Sequence, residues 1–394
     1  MSKDKITVIQ SFPNWLPTTQ TWMYNQVYYL PKEIENHIVC DRTQNLDQFN
    51  LPNIHSLLDK SLWQFLWEKG RRKLKLIKHS PYLLKQAQKY QIQILHSHFG
   101  HIAWFDLPNT DRIKLKHVVT FYGYDVNSIP KNDPIWVKRY QQLFEKADRI
   151  LCEGSHMAKC IENLGCPPEK IKVHHLGVKL NKIKYQPRVW NRRETLKVLI
   201  AASFVEKKGI PYAIEALGRL QHEIPLEITI IGDASKSQPK SRQLKSKSEK
   251  EKILAAIDKH NLGSKVNLLG YQPYEVFFEQ AYKHHLFISP SITAEDGDTE
   301  GGAPVSITEM AATGMPIVST THCDIPEVIK HGITGLLAPE KDIEGLAKNI
   351  QWFVNNPDKW QEMLDAGRKH IEREYDSIEQ GKKLAKIYRD LAQS

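Results

Sequence analysis

The stretch LFISPSITAEDGDTEGGAPVSITEMAATGMPIVST, residues 286–320, decides the fold class. It opens with an apolar run, 286–291, and passes through an acidic loop into a helical pattern that stops near Gly314 and Pro316. A second apolar run, 316–320, follows at once. Near-continuous apolar strands separated by helices are typical of a parallel sheet that is covered on both faces. The stretch therefore predicts the α/β class.

The same alternation runs along the whole chain. Before the polar stretch 180–197, six apolar runs occur at 6–12, 37–42, 94–100, 117–123, 149–154 and 171–177. After it, six more occur at 198–204, 226–233, 266–271, 286–291, 316–320 and 335–339. We therefore predict two doubly wound, Rossmann-like domains, whose ligands bind at the carboxyl ends of the strands in a cleft between them.

Composition narrows the functional classes. The 394 residues carry a net charge of +10, which suits an anionic partner: nucleic acid, a phosphate-bearing small molecule or an anionic membrane. A solvated basic face is the alternative. The five cysteines are scattered without a zinc-like spacing, and no apolar run is long enough for a signal peptide or a membrane span. We therefore expect reduced thiols and a cytoplasmic protein.

The acidic loop has the residues of a phosphate and sugar site. Gly301 and Gly302 let the backbone approach a ligand closely. The amides of Ala303, Val305 and Ser306 lie near the start of the helix, where they can donate to phosphate oxygens. One turn later, Glu309 can accept hydrogen bonds from sugar hydroxyls. One loop is thus predicted to hold a phosphate and a polyol.

The segment EGGAPVSITEMAATGMP, 300–316, resembles the signature of retaining family-four glycosyltransferases of the GT-B fold. The run AEDGDTEGGAP, 294–304, is similar to the subgroup that builds capsule, colanic-acid-like and other exopolysaccharides. Eight residues separate Glu300 from Glu309, one more than in that signature. The resemblance implies hexose transfer, without a metal, from a nucleotide diphosphate sugar to a saccharide or lipid-linked acceptor in surface polysaccharide biosynthesis.

The resemblance also implies roles on the donor side. Glu300 and the loop amides would engage the donor sugar, Glu309 the ribose, and Lys208 of AASFVEKKG (201–209) the diphosphate. Ser203 stands where the family usually has an arginine. The remaining donor residues are Gly232, Tyr271, Gln272, Gly301, Gly302, Ala303, Pro304, Val305 and Ser306. The alternatives are a surface lysine pair at 207–208, plain packing for Tyr271 and a plain turn at Gly232.

Candidate acceptor residues lie in the first domain. His96 and His98 alternate on one face of a strand end, and His98 resembles a histidine common in the subgroup, so it is a catalytic candidate. Tyr122 of TFYGYD replaces the histidine that many relatives carry, which argues against a general base there. Asp125 would bind acceptor hydroxyls or, alternatively, cap a helix. Thr21 and Asn25 of the segment 11–26 are expected near the cleft.

A different signal comes from KSLWQFLWEKGRRKLKLIKHS, residues 60–80. Trp63 and Trp67 are one turn apart, and a cluster of lysines and arginines follows them. Such a segment can lie on anionic lipid, which would make the protein peripheral on the inner face of the membrane. In the alternative, the tryptophans belong to the core and the charges are solvated.

The predicted domains are 1–180 and 195–365, with a final helix, 366–394, that returns to the first domain. Three alternatives to a metal-independent GT-B transferase remain. A metal-dependent glycosyltransferase could use the pair Asp296 and Asp298. An epimerase or hydrolase of nucleotide sugars could share the fold. A nucleic-acid binder would suit the charge, but no nucleic-acid recognition motif occurs, so we expect no such partner.

Overall fold

The computed structural model describes residues 5–17, 22–47, 49–74, 76–77, 79–234 and 240–393. The chain divides into two compact units. Unit 1 comprises Met1–Lys179 and Tyr375–Ser394, and unit 2 comprises Leu180–Glu374. The predicted site residue Thr21 lies outside the described residues.

Unit 1 contains, within the described residues, a seven-stranded parallel sheet in the order β3-β2-β1-β4-β5-β6-β7. The strands are β1 Ile6–Trp15, β2 Ile34–Thr43, β3 Ile54–Ser56, β4 Ile94–His98, β5 Lys116–Thr120, β6 Arg149–Cys152 and β7 Ile171–Val173. The sequence predicted six of them and missed β3, because a three-residue edge strand leaves no apolar run to recognise.

The helices of unit 1 cover both faces of that sheet. Those before Lys179 are α1 Trp22–Tyr28, α2 Leu57–Lys60, α3 Leu62–Lys73, α4 Pro81–Lys89, α5 Gly100–Ile113, α6 Ile129–Asn132, α7 Ile135–Lys146 and α8 Ser155–Asn163. Sequence explains where α4 starts: Ser80 caps it by accepting from the Leu83 amide at 3.3 Å, and Pro81 occupies the first turn.

Unit 2 contains a six-stranded parallel sheet in the order β10-β9-β8-β11-β12-β13, again within the described residues. Its strands are β8 Leu196–Ala201, β9 Leu226–Ile231, β10 Val266–Gly270, β11 Leu286–Ser289, β12 Ile317–Thr320 and β13 Leu336–Ala338. Its helices are α9 Ile210–Leu220, α10 Lys240–Lys259, α11 Tyr274–Lys283, α12 Val305–Thr313, α13 Ile325–Val328, α14 Ile343–Asn355 and α15 Trp360–Glu374. Each of the six strands overlaps a predicted run, and β8 begins two residues before its run, inside the stretch 180–197.

The polar stretch 180–197 is part of unit 2 rather than a free linker. Arg188 is buried and donates to the carbonyl oxygens of Ala281, at 2.8 Å, and His284, at 3.0 Å. Trp190 stacks on Trp360, with ring centroids 6.2 Å apart. The polar composition hid these contacts because the bonding partners of Arg188 are backbone atoms far away in sequence.

The C-terminal segment forms two helices instead of the single helix predicted at 366–394. The first, α15, belongs to unit 2, and the second, α16 Ser377–Ala392, belongs to unit 1. Asp376 caps α16 by accepting from the amides of Ile378 and Glu379. Leu384 and Tyr388 then pack with Val8 in the core of unit 1.

The structure also bears on membrane spans and on the state of the cysteines. No helix in the described ranges is long and apolar enough to cross a bilayer. All five cysteines are free thiols.

Candidate active site

The acidic loop after β11 leads directly into α12, as the sequence predicts. The loop folds on itself, with the Ala294 amide donating to the Asp298 carbonyl at 2.9 Å. It then reaches Pro304, the residue before α12. The first amides of α12 have no partner within a helix, and the helix dipole adds partial positive charge at that end. This end of α12 therefore has the chemistry of an anion site.

Both carboxylate oxygens of Glu300 have side-chain partners. Its Oε2 lies 2.8 Å from the Nζ of Lys208, and its Oε1 accepts from Ser291 Oγ at 2.9 Å. Burial raises the pKa of Glu300, but Lys208 and Lys207 outweigh it and hold the pKa below the usual value. Glu300 is thus ionised and directed at a lysine, in a loop that has one residue more than the family signature.

The lysine pair 207–208 is not a solvated surface pair, which excludes that alternative. The Nζ of Lys207 donates to the Thr299 carbonyl at 2.8 Å and lies 3.2 Å from Asp298 Oδ1. Burial lowers the pKa of Lys207, yet Asp298 and Glu300 raise it overall. The two lysines therefore hold two different acids of the same loop.

Gly209 explains how this lysine turn comes to lie against the loop. It has a φ of +62°, and a Cβ on it would lie 2.0 Å from the Pro290 carbonyl oxygen. The backbone there also pairs directly, because the Ile292 amide donates to the Lys207 carbonyl at 2.8 Å. Only glycine permits so close a contact with the Pro290 carbonyl. This contact and the backbone hydrogen bond hold together the chain segments that follow β8 and β11.

A histidine that sequence reasoning missed supports Glu300. The Glu300 amide donates to His322 Nε2 at 3.1 Å, so the ring proton is on Nδ1, which donates to Glu340 Oε1 at 2.6 Å. Burial raises the pKa of Glu340, but Thr293 and His322 lower it overall. The available signal was the position of His322, directly after the buried strand β12.

Glu309 is buried in α12, and its carboxylate accepts a hydrogen bond from the Tyr274 hydroxyl. Tyr274 is the first residue of α11, and sequence reasoning did not single it out. Because it comes from another helix, it restricts the direction in which the Glu309 carboxylate points. An oriented, ionisable oxygen pair of this kind suits a polyol ligand.

The other donor candidates lie at the carboxyl ends of β8, β9 and β10. Gly232 has a φ of +136°, and a Cβ there would lie 1.8 Å from the Ala202 carbonyl, so the position requires glycine. Ser203 is half-buried in the turn before Lys207.

The two candidates after β10 differ in exposure. Tyr271 is 44% exposed, and the Gln272 side chain donates to the Leu269 carbonyl. The ring of Tyr271 is therefore available to a ligand, while Gln272 offers mainly its backbone.

The paired acids Asp296 and Asp298 have lysine partners. Lys245 of α10 lies 2.6 Å from Asp296 Oδ2, and Lys207 lies beside Asp298. Within the described residues no cluster of three or more histidine, cysteine or acidic side chains could hold a metal ion. The sequence did not predict the contact with α10, since Lys245 is far from the loop along the chain.

In unit 1, His98 is wholly buried and bonded at both ring nitrogens. Gln10 donates through Nε2 to Asn36 and Tyr388, so its Oε1 must accept from His98 Nε2, at 2.9 Å. His98 Nδ1 is then an acceptor, 2.6 Å from the Tyr122 hydroxyl. Burial lowers the pKa of His98 well below its usual value. The ring is a neutral bridge, which favours a positioning role over proton transfer.

The remaining acceptor candidates are also buried. Asp125 accepts from the amides of Gly100, at 2.6 Å, and Tyr122, at 2.9 Å, and burial raises its pKa to about 6. It thus bonds the backbone of neighbouring segments. It is the second residue of the helical turn Tyr124–Ser128, whose N-cap residue is Gly123, so it is not the N-cap. Asn25 is buried in α1. For these residues, contact with an acceptor stays a prediction.

The comparisons with known proteins agree with this architecture. Residues 19–182 match the model of Glycosyltransferase Family 4, and residues 183–370 match that of Glycosyl transferases group 1. The amylovoran biosynthesis glycosyltransferase AmsK of Erwinia amylovora is 32% identical over 298 residues, 75% of this chain and 69% of that protein. A protein described as a colanic acid biosynthesis glycosyltransferase, WcaL of Escherichia coli K12, is 28% identical over 77% of this chain and 72% of its own.

Solved structures share the fold over nearly the whole chain. A glycosyltransferase from Rickettsia africae has a TM-score of 0.75 at 18% identity and covers 98% of both chains. Anabaena HepE, solved with UDP and glucose, has a TM-score of 0.76 at 14% identity and covers 98% of this chain and 100% of its own. With the family matches and the two parallel sheets, these likenesses show that the chain is a GT-B enzyme belonging to the family-four, group 1 glycosyltransferases.

Proposed function

We propose that this glycosyltransferase moves a hexose, with retention of configuration, from a nucleoside diphosphate sugar to a saccharide or lipid-linked acceptor in surface polysaccharide biosynthesis. The observation that carries the proposal is the contact of Lys208 with Glu300 in the loop that leads to the amide end of α12. The amylovoran and colanic acid names of the relatives support the polysaccharide role.

The donor half of the proposal follows from charge. When the glycosidic bond to the diphosphate breaks, negative charge develops on the leaving group, and preorganised cations and amides lower that barrier. Lys208 is only 18% exposed at its side chain, so its charge is weakly screened. In this scheme it turns from Glu300 to the diphosphate, together with the first amides of α12. Glu309 holds the ribose.

The state of Tyr122 supports the retaining course. Burial raises the pKa of Tyr122 well above its usual value, and its hydroxyl proton points to His98 Nδ1, 2.6 Å away, with Gln26 Oε1 farther off at 3.2 Å. Tyr122 is therefore unsuited to act as a general base. A front-face reaction needs none, because an oxygen of the leaving phosphate takes the proton of the acceptor hydroxyl. Glu300 would face the hydroxyls of the donor sugar.

The reaction is proposed to need no metal, since the acids that could form a metal-binding pair already have lysine partners. Activity measured in excess EDTA tests this. Unchanged turnover is expected, and complete loss that Mg²⁺ or Mn²⁺ restores would assign the chain to metal-dependent catalysis.

A thermal-shift screen of UDP-, GDP- and ADP-sugars on the purified protein tests donor use. One nucleotide series should raise the melting temperature, and the stabilising donor should then glycosylate a saccharide or lipid-linked acceptor. NMR of the product should show the anomeric configuration of the donor. Free sugar or an epimerised nucleotide sugar as the main product would favour the epimerase or hydrolase alternative.

We further propose that α3 docks the enzyme on an anionic membrane. The tryptophans are not core residues: Trp63 is 82% exposed, and Trp67 and Leu66 are exposed beside it. The buried residue of α3 is instead Glu68, which accepts from the Ser80 hydroxyl and, at 3.1 Å, from the Tyr82 amide. The helix therefore anchors itself through a carboxylate and turns its aromatic side outward.

The charges around α3 suit anionic lipid. Arg71, Arg72 and Lys73 form its last turn, and the Arg71 guanidinium lies 4.6 Å from the Trp67 ring. Each basic residue near an anionic surface contributes about 1 kcal/mol of binding. Aromatic rings flanked by such charges are typical of interfacial helices.

Vesicle sedimentation tests the docking. The protein should sediment with phosphatidylglycerol vesicles more than with phosphatidylcholine vesicles, and Trp63→Ser with Trp67→Ser should abolish this. A matched control is Val189→Ser with Ile333→Ser, which removes exposed apolar side chains from unit 2. Equal sedimentation of all variants would refute the docking, and retention on RNA or DNA in a gel shift would instead favour the nucleic-acid alternative.

A further inference from the structure

A small cavity lies inside unit 1, and none of the donor candidates lines it. Its lining includes Asn25 and Gln26 of α1, His174 after β7, and Ser377 at the start of α16. About 10 Å³ is open to the centre of a water-sized sphere, which is roughly the room that one water molecule needs. All four side chains are more than nine-tenths buried.

Four polar side-chain atoms that line this cavity lack partners among the described residues. They are Asn25 Oδ1, Gln26 Nε2, His174 Nδ1 and Ser377 Oγ. Buried polar groups in folded proteins are nearly always hydrogen-bonded, so four such atoms around one cavity point to a ligand. The cavity is too small for a sugar or a nucleotide.

The protonation of His174 completes the pattern. Its Nε2 lies 3.1 Å from the Gln380 carbonyl oxygen, which can only accept, so Nε2 carries the proton. Burial lowers the pKa of His174 to about 4, which leaves the ring neutral and Nδ1 a bare acceptor. The four atoms thus comprise two acceptors, His174 Nδ1 and Asn25 Oδ1, and two groups able to donate, Gln26 Nε2 and the Ser377 hydroxyl.

We propose that this cavity binds one ordered water, which donates to His174 and Asn25 and accepts from Gln26 and Ser377. Two donors and two acceptors match the four hydrogen bonds that a water molecule makes. A monatomic cation would leave the two donors unbonded, and a monatomic anion would leave the two acceptors unbonded.

The water joins parts of unit 1 that the chain leaves far apart. The chain passes to unit 2 after Lys179 and returns at Tyr375, and the Val178 amide donates to the Tyr375 carbonyl at 2.8 Å. On the other side of the cavity, Gln26 Oε1 is 3.2 Å from the Tyr122 hydroxyl. The water thereby holds Gln26 as a positioning residue for Tyr122 and, through it, His98. Any effect on turnover rests on the proposed function.

The Ser377→Thr and Ser377→Val variants test the proposal, because threonine and valine have the same shape and differ in the hydroxyl. Crystal structures should show one water within hydrogen-bond distance of His174 Nδ1 in the wild type and in Ser377→Thr, and none in Ser377→Val. In ¹⁵N spectra of labelled histidine, the Nδ1 resonance of His174 should move to that of an unbonded nitrogen in the valine variant alone. The valine variant should also lower kcat several-fold more than the threonine variant.

Either of two results would overturn the water site: a wild-type cavity without density, or direct bonding of Asn25 to His174. A water that persists in Ser377→Val would overturn the four-partner arrangement. Equal kcat in the two variants would remove the positioning role of Gln26. Neither the density nor the ¹⁵N signal depends on turnover, so failure of the proposed transferase activity would be seen separately, in the wild type. If Ser377→Val does not fold, the wild-type density decides.

Discussion

The Lys208 ammonium lies 2.8 Å from the Glu300 carboxylate, although the two residues are 92 positions apart in sequence. Both side chains are largely buried, and Ser291 and His322 bond the side chain and amide of Glu300. A lysine held in this way is preorganised for an anionic ligand, because the charge is already desolvated and aimed into the loop.

Replacing Lys208 tests its role at the diphosphate. Lys208→Ala should lower kcat/KM by roughly 100- to 1000-fold, as removal of a preorganised stabilising group does. Lys208→Arg should retain more activity, since it keeps the charge. Lys197→Ala is the control, because Lys197 pairs at 3.7 Å with Glu227 near the start of its strand. Steady-state kinetics decide, and equal rates for Lys208→Ala and Lys197→Ala would contradict the assignment.

The lowered pKa of Glu300 predicts how the stability of the folded protein depends on pH in acid. Its pKa is lower in the folded protein than in the unfolded chain, so the stability it contributes is fully present above the unfolded pKa. That stability is lost as the pH falls through the folded pKa. Glu300→Gln should therefore be less stable at pH 7, and its melting temperature should fall less steeply between roughly pH 5 and 3. Scanning calorimetry across this range measures both.

The control for that experiment is Glu344→Gln. Glu344 pairs with Lys348 at 2.7 Å on the surface, where an ion pair contributes little to stability. Its curve should follow the wild type. If Glu300→Gln also followed the wild type, the pair with Lys208 would not stabilise the fold.

Glu309 should affect ligand affinity more than folding. Glu309→Ala removes a charged acceptor, and hydrogen bonds to charged groups contribute about 1.5–3 kcal/mol, or roughly 10- to 100-fold in Kd. Tyr274→Phe keeps the carboxylate and removes the hydroxyl that orients it, so we expect a rise of only a few-fold. Calorimetric titration with UDP, GDP and ADP measures this. An unchanged Kd in Glu309→Ala would exclude the ribose contact.

Gly232 should tolerate no side chain. Gly232→Ala places a methyl group 1.8 Å from the Ala202 carbonyl at a φ of +136°, and such backbone strain alone costs about 1–3 kcal/mol. Gly263→Ala is the matched control, since its added methyl would meet no atom within 4 Å. The free energy of unfolding in urea should fall clearly in the first variant and hardly in the second. Similar values would show that the turn after β9 can rearrange.

Much of the fold could be predicted because its signals are local. An apolar strand followed by a helical pattern is visible within some 30 residues, as in 286–320, and parallel strands fix which end of the sheet carries the loops. The strand β3 was missed because its three residues pair along one edge only. The outward face of α3 could not be predicted either, since Trp63 and Trp67 at helical spacing fit a core as well as a surface.

Four features could be inferred from the amino-acid sequence alone: the α/β class, the strands of unit 2, the strand-loop-helix that carries Glu300 and Glu309, and the family. These follow from local periodicity and from contiguous motifs. Other features became visible only in the folded chain. Lys208 contacts Glu300, and His322 and Glu340 support Glu300. Tyr274 orients Glu309, and His98 is buried and bonded on both sides. These contacts join residues from different strands and helices, and their distances depend on how the chain packs, which no local pattern records.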